Sequence, residues 1–410
     1  MSLRDVTVIG GGMVGATAAN LLARAGCSVT LVTDGEAPDW DPAQPVGLRV
    51  SAISPGSEAI LQQAGAWSRV AADRFCPYRR MHVEDGQGSG VVEFEAAVFG
   101  FDHLGTIVEN DLVTYALWRA LEAASELEVI APARVAQVRQ DATAAHCVLE
   151  DGREIASRLL VGADGPGSAV RRSLGLGNDA WEYNQRGVVA RVRKTRPNPG
   201  TAWQRFLPGG PLAFLPLADG WSSIVWTLPD REAQERLRSE DDDFEEQLAV
   251  ASEGWLGDVE ETGPRAAFPL AMSLGERYVS GRVVLLGDAA HAIHPLAGQG
   301  VNLGLADTAA LVESVARQRA AGGVLAEPSA LARFERWRRS ESTLMAGGVH
   351  GIGALFRPAL LSPLRRVGMS AVGRSWTLKE AFLERAAGIG PNAPRLARGA
   401  TLAELARGSD

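Results

Sequence analysis

Apolar positions along the chain fall into two patterns: short continuous runs, and longer stretches at helical spacing. Residues 6–9 form an apolar run that Gly10, Gly11 and Gly12 interrupt, which predicts a buried strand ending in a tight turn. Val14, Ala18, Leu21, Leu22 and Ala25 then recur at helical spacing, with Gly26 placed to end that helix. A second run at 29–32 completes a strand–helix–strand unit. Asn110 or Asp111 is placed to cap a helix reaching Ala124, with Leu112, Tyr115 and Leu121 among its apolar positions. Asp151 and Gly152, between strand-like 146–150 and 155–161, predict a hairpin. Residues 186–228 are rich in β-formers and aromatics, including Phe206, Trp221 and Trp226, and predict antiparallel sheet. The acidic stretch 240–246 predicts a solvated helical surface. Another buried strand at 282–287 precedes a helical pattern from about 300 to 319. From Ser329 onward the pattern is helical, with breaks at Pro358, Pro363 and Pro391.

Composition narrows the picture. The 410 residues are 46% hydrophobic and 22% charged, so the chain can bury one large core or two cores sharing a face. A net charge of −8 argues against a nucleic-acid partner, because phosphate neutralisation needs a basic surface. Cys27, Cys76 and Cys147 are too few and too scattered for a disulfide framework, and neither a cysteine pair nor an HExxH run suggests a metal. They read as reduced thiols of a cytoplasmic protein. No run of 18 apolar residues occurs, and the N-terminus enters its first strand without an apolar leader, so neither a spanning helix nor export is expected. Charge is uneven: residues 315–410 hold 15 basic and 7 acidic side chains, leaving −16 on the rest. Lys194 and Lys379 are the only lysines.

Gly10, Gly12 and Gly15 stand at GxGxxG spacing between predicted strand and helix. That spacing serves a tight turn, close approach of backbone to a pyrophosphate, and close strand–helix packing. The helix start, with Met13 and Val14, then faces the anion with free N–H groups. The pattern calls for an acidic residue at the end of the second strand, to accept hydrogen bonds from a ribose. Thr33 stands there, with Asp34 beside it. A hydroxyl accepts more weakly than a carboxylate, so either Asp34 reaches the ribose or the adenosine end is held loosely. Two later segments repeat strand, turn and helix around Asp164-Gly165 and around Gly287-Asp288. A final run from His294 to Asp307 carries Pro295, Gly298, Gln299, Gly300, Val301 and Asn302, where a proline turn and glycines leading into a helix open backbone N–H groups to a planar ligand.

In this order and spacing the segments resemble the flavoprotein aromatic hydroxylases of the para-hydroxybenzoate hydroxylase type. The run 294–307 is similar to the signature of the ubiquinone-biosynthesis hydroxylases within that family, and the likeness covers about residues 5–390. The resemblance implies an α/β fold: a Rossmann-like FAD-binding domain built from 1–75, 101–180 and 275–328, an antiparallel-sheet substrate domain from 76–100 and 181–274, and a C-terminal helical region, 329–410. It implies that FAD is held at the glycine turn, with Arg49 and Asn110 in contact and Asp164 and Gly165 near the pyrophosphate and the path of NAD(P)H. Asp288 would bind the ribityl chain, and the run 295–302 would face the pyrimidine end of the ring.

The chemistry so implied is reduction of FAD by NAD(P)H, formation of a flavin C4a-hydroperoxide with O2, and oxygen transfer to an electron-rich ring. The implied substrate is a prenylated phenol or quinol precursor of ubiquinone. Residues 77–80 and 201–204 favour its C6 over its C5 position. Phe214, Leu215, Pro216 and Pro295 are the pocket candidates, and no catalytic base stands out. His291 reads as bonding locally at a helix start. Two other functions fit the same residues: a same-fold hydroxylase of a soluble aromatic, and a flavin-poor scaffold subunit, the latter encouraged by Thr33. Leu360, Leu361 and Leu364 alternate with Arg357, Arg365, Arg366 and Arg374. They lead us to expect peripheral contact with an anionic inner membrane or a lipid-carrying partner, unless the arginines pair with the acidic body. A homo-oligomer is also expected.

Overall fold

A computed structural model describes residues 3–218, 220–255, 257–293, 300–356 and 358–407. Its first sheet runs in the order Val279–Ser280, Val283–Leu285, Glu154–Gly162, Arg4–Ile9, Val29–Val32, Leu127–Ile130. The inner pairings are parallel, and Ala145–Leu149 and Val135–Gln140 extend the sheet antiparallel from Glu154–Gly162. Parallel strands are buried on both faces, which is why Val6, Val8, Leu31, Leu159 and Val161 are continuous apolar positions with no exposure. Helices Met13–Arg24, Asn110–Leu121 and Gly300–Ala320 cover one face and join its core. The hairpin at Asp151-Gly152 forms as its turn chemistry requires, with Gly152 at φ +86°.

The second sheet is largely antiparallel. It runs His291–Ala292, Val259–Gly275, Asn178–Lys194, Ser222–Pro229, Gly210–Pro216, Thr201–Leu207, Arg80–Asp85, Val91–Glu95. Period-two alternation sends Val188, Trp203, Leu212, Phe214, Ile224 and Trp226 to one face. Helices Asp230–Arg238 and Asp241–Ala251 close that face with Ala233, Phe244 and Leu248. The acidic stretch is therefore solvated on one side only. The opposite face turns toward the first domain, where Leu215 and Leu217 pack with Val50, Ala52 and Ile107.

A small third sheet, Val50–Ile53, Gly105–Glu109 and Cys76–Tyr78, lies at this junction. Cys76–Tyr78 pairs with Gly105–Glu109, and the excursion joins the large sheet only from Arg80. Asn110 is the first residue of its helix rather than the cap; Glu109 holds that position. The C-terminal region is helical: Pro328–Phe356, Ser362–Arg374 and Trp376–Ala387. Arg365, one of the arginines expected at a membrane, is instead fully buried, donating to Asp85 at 2.8 Å and to the carbonyls of Leu355 and Pro358. Arg366 and Arg374 are exposed, and Arg357 lies outside the described residues.

Candidate active site

The glycine turn shows why each glycine is needed. At Gly10, φ is +109° and an added Cβ would lie 2.2 Å from the Ala163 carbonyl oxygen. At Gly15 it would lie 1.9 Å from the Gly10 carbonyl oxygen. Packing forces both. At Gly12 nothing lies within 4 Å, so this glycine leaves room outside the protein rather than within it. Helix Met13–Arg24 starts at Gly12 with no side-chain cap, so its first-turn N–H groups face that space with the positive end of the dipole behind them. The Gly11 carbonyl accepts from Trp118 Nε1 at 2.8 Å. Thr33 is buried against Gly11, and Asp34 is exposed.

Two of the later motifs meet at Val14 of the first. A Cβ on Gly287 would meet the Val14 side chain at 3.1 Å, and one on Gly304 would meet it at 2.7 Å. Gly287 (φ +56°) and Ala289 are buried while Asp288 between them is exposed, so the turn presents one carboxylate outward. Surrounding protein depletes its water and raises its carboxyl above the usual range, opposed by His291 and Arg49. The Arg49 side chain is exposed and lies over the Phe268 ring of the second sheet at 5.5 Å. Asn110 sits beside it: its N–H donates to the Arg49 carbonyl at 2.9 Å, and its side-chain oxygen accepts from Ser51 at 2.7 Å.

One placement adds to the sequence reading and another departs from it. Asp164 is committed to its own loop, accepting from Ser168 Oγ at 2.5 Å and from the N–H groups of Ala169 and Val170 at 2.7 and 3.1 Å. Its backbone nitrogen lies at the glycine turn, where a Cβ on Gly10 would meet it at 2.9 Å, while its carboxylate is spent on the start of helix Ala169–Ser173; Gly165 (φ +80°) borders open space. His291 does not bond locally. It is 1% exposed, and its Nε2 donates to Asp307, sixteen residues on, at 2.5 Å.

Asp307, which ended the signature run without an assigned role, organises this region. Besides His291 it accepts from Arg338 Nε at 2.7 Å and from the Gly287 N–H at 3.1 Å, all within the interior. Burial opposes its ionisation, but the attraction and hydrogen bonds of His291 and Arg338 outweigh that and hold the carboxyl below its usual range. Asn302 clamps the start of the same helix, donating to the Ala52 carbonyl at 2.8 Å and accepting from the Ser54 N–H at 3.0 Å. Val301 packs partly buried against the main core. Arg338 could not be read from the sequence, since nothing in an arginine-rich helix marks the one that turns inward.

Phe214 is not a cleft residue: with no exposure, it packs against Trp203 and Trp255 beneath the helices. Leu215, its neighbour in an alternating strand, faces the junction instead, and Pro216 is buried beside it. Pro295, Gly298 and Gln299, together with His294, lie outside the described residues.

An open middle glycine over uncapped N–H groups, an outward carboxylate at Asp288 and the Arg49 guanidinium fit a dinucleotide with an anionic pyrophosphate and a hydroxyl-bearing chain. With a largely antiparallel sheet facing this site, the arrangement is that of an FAD-binding protein. The family described as FAD binding domain matches residues 4–339. Solved structures with this fold include p-nitrophenol 4-monooxygenase from Pseudomonas putida (TM-score 0.73, 17% identity, 93% of this chain and 97% of that one). Another is a probable FAD-dependent monooxygenase from Pseudomonas aeruginosa (TM-score 0.72, 22% identity, 90% and 100%). Among curated relatives, the ubiquinone hydroxylase UbiL of Rhodospirillum rubrum is 36% identical, over 97% of this chain and 93% of its own length. The 3-demethoxyubiquinol 3-hydroxylase of Escherichia coli is 35% identical, over 94% and 98%. The human mitochondrial ubiquinone biosynthesis monooxygenase COQ6 is 32% identical, over 92% and 91%. The chain belongs to the ubiquinone-biosynthesis hydroxylases, a family of FAD-dependent monooxygenases.

Proposed function

We propose that this protein hydroxylates the aromatic ring of a prenylated ubiquinone precursor, at C6 or C5, using FAD, NAD(P)H and O2. The observation that carries the reading is the convergence of Gly12, Asp288 and the start of helix Gly300–Ala320 on one site faced by a mostly apolar sheet. Bound FAD supplies the electron transfer and oxygen activation. The chain supplies placement. N–H groups at Gly12–Met13–Val14 and the Arg49 guanidinium would hold the pyrophosphate, and Asp288 would accept from the ribityl hydroxyls. The positive end of helix Gly300–Ala320, docked on Val50–Ile53 through Asn302, would favour negative charge on a flavin ring held against it. Val189, Ala213, Leu215 and Val225 alternate onto the sheet face that roofs the ring and keep water from it. The relatives' names support the substrate class.

The C-terminal helices support a further part of this reading, contact with an anionic membrane surface. Leu360, Leu364 and Val367 are exposed beside Arg366 and Arg374, a pairing suited to apolar insertion flanked by basic anchors. No helix among the described residues is long and apolar enough to cross a membrane.

The test is NAD(P)H oxidation by the FAD-loaded protein with a prenylated phenol and with unprenylated phenols, each product weighed for one added oxygen. Coupled hydroxylation of the prenylated compound alone is expected. Equal stimulation by simple phenols would replace this reading with hydroxylation of a soluble aromatic.

A further inference from the structure

A groove of about 520 Å³ opens on the far side of the same helix start, within the roughly 300–1,000 Å³ span of small-ligand sites. Its inner wall is Ser54, Ile60, Asn302, Leu303 and Ala306, so it shares the clamp that docks helix Gly300–Ala320 on Val50–Ile53. Met345 lines its side, and Leu378, Ala381 and Phe382 from helix Trp376–Ala387 form its outer lip. Leu378 and Phe382 are 44% and 51% exposed, so the lip presents apolar surface to solvent.

Glu384 also lines the groove, but the other charged and amide groups on the wall are engaged by the protein itself. Arg338 is held by Asp307, Glu341 by Arg385 at 3.0 Å, and the Asn302 amide by Ala52 and Ser54. What the groove offers a ligand is therefore apolar surface, which selects a hydrocarbon over a charged or hydrogen-bonding guest.

We infer that this groove binds the isoprenoid tail of the substrate, leaving the ring to the flavin side of the same helix start. The inference rests on the prenylated-substrate reading above and adds where the tail lies. Leu303 and Met345 also pack in a buried apolar cluster with Met272, Ile293 and Val349, so the groove wall is backed by core shared with strand Val259–Gly275 of the second sheet.

The test uses the FAD-loaded full chain with 2-farnesylphenol and with phenol, binding being measured by calorimetry and turnover by oxygen incorporation. Two substitutions obstruct the groove away from the flavin site. Ala381→Trp fills it from an exposed helical position. Leu378→Asp puts a charge on the lip in the first turn of a helix, where an acid is tolerated. Each should weaken 2-farnesylphenol binding roughly tenfold or more, since several buried methylenes are lost, and leave FAD affinity, substrate-free NAD(P)H oxidation and the flavin spectrum unchanged. A diazirine-bearing 2-farnesylphenol should label residues lining the groove. Unchanged farnesylphenol affinity in both variants, or labelling confined to Leu360–Val367 or to the sheet, overturns the groove. Labelling of the groove without hydroxylation of any prenylated phenol would instead leave the tail site standing and remove the proposed reaction.

Discussion

Lys194 shows how much one side chain's surroundings decide. It is one of two lysines, it ends strand Asn178–Lys194, and it is 5% exposed, with its Nζ 5.1 Å from the Phe214 ring centroid and 3.4 Å from Ser252 Oγ. Burial lowers its pKa from 10.5 to about 8, with Asp258 opposing. A lowered lysine pKa means that the unfolded chain holds the proton more tightly. Keeping Lys194 charged therefore costs stability below about pH 8, and that cost fades as pH rises toward 10.5. Lys194→Met should stabilise the protein by about 1–3 kcal/mol at pH 7, with the gain shrinking toward zero by pH 10. Urea midpoints of both proteins across this range check it, and a gain independent of pH would contradict the account. The same scale explains Asp164 and His291. Each stands in a recognisable motif, but which atom it bonds depends on neighbours that the motif does not contain.

At the scale of elements, the strand–turn–helix–strand unit was legible because its requirements are local: a positive φ at Gly10, no room for a Cβ at Gly15, and open space at Gly12. The end of its second strand carries a testable consequence. Thr33 offers a neutral hydroxyl where a carboxylate would accept two ribose bonds, and a charge-assisted bond is worth about 1.5–3 kcal/mol. Thr33→Glu should therefore tighten FAD roughly ten- to hundredfold, read by fluorescence titration of the apoprotein. An unchanged dissociation constant would mean that Thr33 does not face the ribose. Helix Gly300–Ala320 was legible in extent but not in attachment. The sequence showed its glycines and apolar spacing, whereas the Asn302 clamp and the Asp307 contacts join segments up to 250 residues apart. Phe214 and Leu215 make the same point for a strand. Alternation puts adjacent residues on opposite faces, but only the position of the backing helices says which face is the cleft.

Over the whole molecule, the C-terminal helices are tied to the second sheet by the buried Arg365–Asp85 pair, assisted by stacking of Phe206 on Phe356 at 4.0 Å. Removing one partner of a buried pair leaves an uncompensated charge. Arg365→Ala should cost about 3–5 kcal/mol, while Arg366→Glu, at an exposed position one residue on, should leave the urea midpoint unchanged. Equal effects of the two would refute the assignment. By itself the sequence determined the nucleotide-binding unit and the antiparallel sheet, because glycine geometry and residue periodicity act over a few neighbouring residues, and the resemblance of its motifs pointed to the family. Only the tertiary structure decided which acidic residues face the site and which are spent on the fold, which arginine of a basic region is interior, and where an apolar groove opens. Those outcomes depend on desolvation and partner contacts between segments far apart in the chain, and no local pattern encodes them.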